Sequence, residues 1–212
     1  MSTITTDHRS SRSQEFDSRA VTPPASEPRI IADPAALGLG AFALTTFMLS
    51  LANSGIVAGA GAAVLAIALF YGGLAQLGAG MWEFVKGNTF GATAFTSYGA
   101  FWLAFWWLLT NPGVEKAAGA GGVGAFLLAW TIFSALMTVA SKKTNAVLFA
   151  TFVAVTLTFV ALTIGAFTGV VGITRLGGWL GLVAAGLAWY GSFAVVTNAT
   201  WKRVVLPVWP SA

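Results

Sequence analysis

In a chain of 212 residues, 57% hydrophobic and 8% charged residues lie far outside the composition of soluble domains, which excludes an ordinary water-soluble enzyme or binding module. The net charge of +4 comes from basic residues at the ends of apolar segments, a membrane-topology pattern, so no nucleic-acid partner is expected. Cysteine is absent, which excludes disulfides and thiolate metal sites.

Residues 1–32 are polar, rich in Ser, Thr and Arg, and hold Pro23, Pro24 and Pro28 with no apolar run that could pack. They read as a disordered cytoplasmic tail and not as a signal peptide, because no apolar stretch follows the early charges before Ile30. Asp33-Pro34 then gives a helix start, with an N-cap acid followed by a proline at the first position. From Ala35 six helices are expected, over about 35–52, 56–83, 89–110, 122–140, 145–167 and 176–200. Each run is long enough, or nearly so, to cross a hydrocarbon core of about 30 Å, which takes about 20 helical residues.

The separators are short: Asn53-Ser54-Gly55, Lys86-Gly87-Asn88 with Asn88 as a cap, Asn111-Pro112-Gly113, Ser141-Lys142-Lys143-Thr144 and Thr168-Gly169. The expected organisation is a tail over 1–32, a six-helix transmembrane domain over 33–208 and a short C-terminal tail over 209–212.

An even helix count puts both termini on one side. That side holds Arg9, Arg12, Arg19, Arg29, Lys86, Lys142, Lys143, Lys202 and Arg203, against Lys116 and Arg175 opposite. Both termini are therefore expected to be cytoplasmic, and the short loops fit a bacterial inner membrane. Gly55 and Gly59, Gly87 and Gly91, and Gly177 and Gly181 are each four apart, a spacing that lets helix backbones approach. Trp82, Trp179, Trp201 and Trp209 near helix ends fit an interfacial belt, whereas Trp102, Trp106 and Trp107 lie deeper.

What is missing narrows the chemistry. The single His is His8 in the tail, and of the seven acids only Glu83 and Glu115 follow the first helix. A membrane hydrolase or acyltransferase needs groups that handle protons, so the chain is not expected to be an enzyme, and neither a metal nor another cofactor is expected. The helices also lack the internal ionisable residues of a proton relay. Glu83 is the one candidate for proton handling; its plainer reading is a partner for Lys86.

Polar work inside the membrane then falls to hydroxyls, amides and helix ends. Phe42, Thr45 and Thr46 fall at i, i+3 and i+4 on the first helix, one face with an aromatic and two hydroxyls. The run from Lys86 to Trp102 (KGNTFGATAFTSYGAFW) opens an apolar helix with hydroxyls, small residues and aromatics, which suits a narrow, weakly polar passage.

The segment Asp33-Pro34-Ala35-Ala36-Leu37-Gly38-Leu39 resembles the Asn-Pro-Ala-Pro-Leu-Gly-Leu signature of the acetate uptake transporter family, which includes the bacterial succinate/acetate permeases. Phe70-Tyr71-Gly72-Gly73-Leu74-Ala75-Gln76, Glu83, the run 86–102, Gly178-Trp179-Leu180-Gly181-Leu182 and Val205-Leu206-Pro207 follow that family in order and spacing, so the resemblance covers 33–208. Two positions depart from the signature: its Asn is Asp33 and its second Pro is Ala36. An acid near an anion's path would repel a carboxylate.

The resemblance implies an all-α membrane protein of six transmembrane helices, a hexamer, and a pore within each subunit for acetate or another small monocarboxylate, in some members succinate. It implies a hydrophobic waist at Phe42, Tyr98 and an aliphatic residue on the fifth helix, aligned as Val155 with Leu157 as the alternative. Thr45, Thr46, Gln76 and Ser97 are the candidate substrate contacts beside it. Whether conduction is passive or proton symport stays open. The competing readings are a non-transporting sensor or scaffold that signals through the tail, and a pore for another small solute such as ammonia.

Overall fold

A computed structural model describes residues 31–211; the expected N-terminal tail lies outside the described residues up to residue 30, as does Ala212. Among the described residues the chain is helical apart from its connections. Helix α1 spans Ala35–Asn53. Helix α2, Ala60–Ile67, runs through a π-helical stretch at Ala68–Ala75 into α3, Gln76–Lys86. Helices α4 to α7 follow at Thr89–Thr110, Pro112–Ser141, Ala146–Thr168 and Val171–Trp201.

Among the described residues, five helices are long and apolar enough to cross a membrane: Ala35–Asn53, the continuous Ala60–Lys86, Pro112–Ser141, Ala146–Thr168 and Val171–Trp201. Helix α4 is 22 residues long but carries the hydroxyl-rich motif, which lowers its hydropathy below theirs.

Local chemistry explains the ends. Asp33 Oδ1 accepts from the Ala35 N–H at 3.0 Å, so the acid caps α1 just ahead of Pro34. The Asn88 side chain accepts from Gly91 N at 3.1 Å and that of Asn145 from Leu148 N at 2.9 Å, capping α4 and α6. Gly87, at φ 80°, closes α3 in the left-handed conformation that favours glycine.

Three expected boundaries shift. The helix expected from 56 begins at Ala60 and runs on to Lys86, because Gly55 to Gly59 form a turn and Gly87 supplies the stop. The helix expected from 122 begins at Pro112: proline takes the first turn, where its missing N–H costs nothing, and the break moves to Gly119. The last helix begins at Val171, directly after the turn at Gly169.

Helix α1 lies against α7, α6 lies against both α5 and α7, and α3 packs on α4. The α1–α7 seam shows why small residues stand there. A Cβ on Gly178 would run into the backbone at Asn53 and Ser54, and one on Gly181 would collide with the Ser50 side chain. The expected close approach holds for Gly181 against α1 and for Gly177 against Leu162 of α6; Gly55 instead sits in a turn at φ 81°, and Gly59 has nothing within 4 Å of its Cβ position. Of the deep tryptophans, Trp102 is buried and Trp107 is more than half exposed.

Residues 209–211, in the expected C-terminal tail, are strapped to the start of α6. Ala146 N donates to Trp209 O at 2.9 Å and Ser211 N to Thr144 O at 3.0 Å, while Tyr190 Oη donates to Pro207 O at 2.8 Å. Satisfying these backbone groups against a helix start is more favourable than leaving them at an apolar surface.

Candidate functional site

Two cavities lie inside the helix bundle, and Phe42 and Val155 line both. The larger, about 240 Å³, reaches from Phe42, Thr46 and Phe101 to Asn53 at the end of α1 and Thr174 in the first turn of α7. The smaller, about 50 Å³, reaches from Tyr98 and Gln76 to Asn88 and Ala35. A water molecule occupies about 30 Å³ of liquid, so the smaller space suits only a small solute.

The partition between them is aromatic. Phe42 and Tyr98 ring centroids are 5.7 Å apart, and Tyr98 is further enclosed by Phe133 at 5.5 Å, Trp130 at 6.0 Å and Phe152 at 6.1 Å. Val155 is buried in the same apolar cluster, whereas Leu157 is 48% exposed. The Tyr98 hydroxyl is not free: it lies 2.8 Å from Ser134 Oγ, a fully buried group on α5. Such tilted ring contacts hold the side chains in place at separations of 4.5–7 Å.

Polar groups with no hydrogen-bond partner sit on both sides of the partition. Thr46 Oγ1 and Trp102 Nε1 belong to residues of the larger cavity, and both amide atoms of the fully buried Gln76 to one of the smaller. A buried polar atom left unpaired costs about 1–3 kcal/mol, a cost that a water or a guest in either cavity would relieve. Thr45 and Ser97 line neither cavity. Thr45 Oγ1 donates to Ala41 O at 2.9 Å and its side chain packs on Gly72 of the π-helical stretch; Ser97 is half-buried on α4.

Of the remaining signature residues, Leu39 lines the small cavity, and Gly38 lies under the Phe95 ring, where a Cβ would come within 2.7 Å. Leu37 points outward and is 45% exposed. Lys86 Nζ is 2.7 Å from Asp33 Oδ1 and 3.9 Å from Glu83 Oε2. Glu83 is fully buried, accepts from Asn88 Nδ2 at 2.8 Å through Oε2, and leaves Oε1 without a partner. The Asp at the signature Asn position is thus paired with Lys86, which offsets the repulsion a bare acid would exert there. Among the described residues, no group of three or more His, Asp or Glu could hold a metal ion.

Two further residues at this site, Ser134 and Trp102, carry no signal as site residues in the sequence. A serine on an apolar helix bonds its own backbone as readily as a distant side chain, and Trp102 reads as packing.

This chain is similar to the succinate-acetate/proton symporter SatP of Escherichia coli K12, with 42% identity over 180 residues that cover 84% of this chain and 95% of that protein. It is 42% identical over 191 residues to the ammonia transport outward protein 2 of Saccharomyces cerevisiae, and 39% identical over 201 residues to acetate permease A of Emericella nidulans. The matched regions cover 85% and 86% of this chain but 66% and 67% of those fungal proteins, so the chain spans about two thirds of their length. A solved structure of the bacterial acetate channel SatP superposes with a TM-score of 0.79 at 41% identity, covering 84% of this chain and 99% of that one. The family profile matches residues 16–211, and on that match and these relatives the chain belongs to the GPR1/FUN34/yaaH family.

Proposed function

We propose that this protein conducts acetate and related small carboxylates across a membrane, through a passage made of the two cavities and narrowed between them by Phe42, Tyr98 and Val155. One observation carries the reading: two cavities with unpaired polar groups meet at a shared aromatic and aliphatic wall. Relatives named for acetate and succinate transport support the substrate class.

In this reading Thr46 and Gln76 offer weak hydrogen bonds on either side of the waist. Phe42 and Val155 exclude hydrated ions by poor wetting, so a carboxylate must shed part of its hydration to pass. Weak binding at each step favours throughput. Tyr98 shapes the waist with its ring, and its proton is open to an anion only where Ser134 Oγ is the donor in their shared hydrogen bond. Glu83 is the proposed proton-handling group if transport is coupled, because among the described residues it is the one acid buried beside a cavity-lining residue, Asn88. The finer assembly is part of the same proposal: six membrane-crossing helices with α4 as the sixth, a hexamer, both termini cytoplasmic, and a bacterial inner membrane.

Labelled acetate uptake into liposomes tests this, with and without an inward proton gradient at matched acetate gradient and membrane potential. Faster equilibration than in protein-free liposomes supports a passage. Accumulation beyond the passive acetic acid equilibrium identifies proton coupling. Equal uptake in bare liposomes sinks the proposal.

The yeast relative named for outward ammonia transport gives one observation in favour of a neutral-base pore. Uptake insensitive to competing acetate would select it. A tail-driven sensor is separated by removing residues 1–30, which leaves conduction unchanged in a transporter.

A further inference from the structure

We infer that Arg175 forms an anion-collecting site at the mouth of the larger cavity, where a small carboxylate is held before it enters the passage. This deepens the proposed function and rests on it.

The position of Arg175 is fixed by two neighbours. Thr174, the preceding residue on α7, lines the larger cavity at the end where Asn53 closes α1. Across that end, the Arg175 side chain lies over the turn after α1, with Nε 3.2 Å from the place a Gly55 Cβ would occupy. Close packing of Gly178 on the Asn53–Ser54 backbone holds this part of α7 against α1. The guanidinium therefore overlies the turn directly beside Asn53, and its own residue adjoins Thr174.

Charge is uncompensated there. Arg175 is exposed and has no ion-pair partner among the described residues. The other charged residues at that end of the bundle are Glu115 and Lys116, adjacent at the start of α5 and opposite in sign, so they nearly cancel at a distance. The first turn of α7 adds positive dipole of the same sense as Arg175. By contrast, Lys86 is engaged by Asp33 and Glu83, which leaves that cluster with more acid than base. The acid-rich cluster around Lys86 and the exposed Arg175 thus differ in local charge, and anions gather at Arg175. A fixed charge at a mouth with low-dielectric walls raises the local concentration of its counter-ion, and salt screens the effect.

The competing account is structural: the guanidinium merely covers carbonyls at the end of α1. Labelled acetate uptake by Arg175→Gln, Arg175→Lys and Lys116→Gln proteins in liposomes separates the two, read at ionic strengths of about 0.01 M and about 1 M, where the Debye length is about 30 Å and about 3 Å. Arg175→Gln should raise the half-saturating acetate concentration about threefold at low salt, with unchanged maximal rate, and match wild type at high salt. Arg175→Lys should restore the low-salt value, and Lys116→Gln should stay close to wild type. A deficit in Arg175→Gln that persists at high salt, or that accompanies a lower unfolding temperature, would assign the residue to structure and overturn the proposal. So would an equal loss in Lys116→Gln, which would make the effect one of diffuse surface charge. Wild-type protein with no uptake above bare liposomes would remove the functional reading and this one with it.

Discussion

Tyr98 Oη and Ser134 Oγ lie 2.8 Å apart in a region sealed from solvent, so the one hydroxyl in the aromatic partition is already bonded across from α4 to α5. A tyrosine hydroxyl has a single proton to give, so where Tyr98 is the donor to Ser134 this pairing leaves no proton for a passing anion.

Tyr98→Phe is therefore expected to act on stability more than on transport. It leaves Ser134 Oγ buried without its partner, at a cost of about 1–3 kcal/mol, and thermal unfolding in detergent reads the loss. The double variant Tyr98→Phe with Ser134→Ala removes both polar ends and should recover part of it. Acetate uptake that falls tenfold or more while stability holds would instead assign the hydroxyl to the substrate.

Phe42→Ala opens the wall common to both cavities. Uptake of carboxylates bulkier than acetate should rise, and leak of hydrated anions with it. Val155→Leu does the reverse: one added methylene in a tight apolar pocket changes discrimination by about tenfold or more, here against the larger acid. Competition between labelled acetate and unlabelled longer-chain acids measures both. Unchanged selectivity in the pair would place the narrowest point elsewhere.

Asp33→Asn removes one side of a partly exposed ion pair and should cost about 0–1 kcal/mol, less in high salt. Lys86→Gln should cost more, because it takes the cation from two acids at once, one of them the buried Glu83. Unfolding temperatures at two salt concentrations test the ordering, and equal losses would mean that Glu83 does not feel Lys86.

Gly178→Ala should prevent α1 and α7 from seating, since the new methyl meets backbone and not a movable side chain. Overpacking of this kind costs about 1–3 kcal/mol and often more. Gly186→Ala, on the same helix with nothing within 4 Å of the added carbon, should be neutral or slightly stabilising. Size-exclusion behaviour and thermal unfolding of the two variants give the contrast.

Helix existence was readable from sequence because long apolar runs are cut by a few turn-forming residues, and Asn88 and Asn145 cap where capping chemistry puts them. Pro112 misled as a loop residue, since a proline ends one helix or begins the next with equal local logic. The pairing of Phe42 with Tyr98 came from the family resemblance, and the structure brings those rings together. Thr45 and Thr46 were inseparable in sequence: both follow Phe42 at helical spacing, yet they differ by one residue of rotation. That rotation turns Thr45 onto Gly72 and Thr46 onto the larger cavity. Ser134 was invisible, because only the packing of α5 on α4 tells which of several serines meets the tyrosine.

The widened turns at Ala68–Ala75 have a consequence for everything after them. Each extra residue taken up by a π-turn advances the angular phase of the following helix by about 100° relative to an unbroken α-helix. Gln76, Gly80 and Glu83, all buried, lie downstream of that offset. Deleting one residue within the stretch would keep every polar group of α3 in the chain while turning the amide and the carboxylate toward the hydrocarbon. The site would be lost by rotation, with its residues all intact.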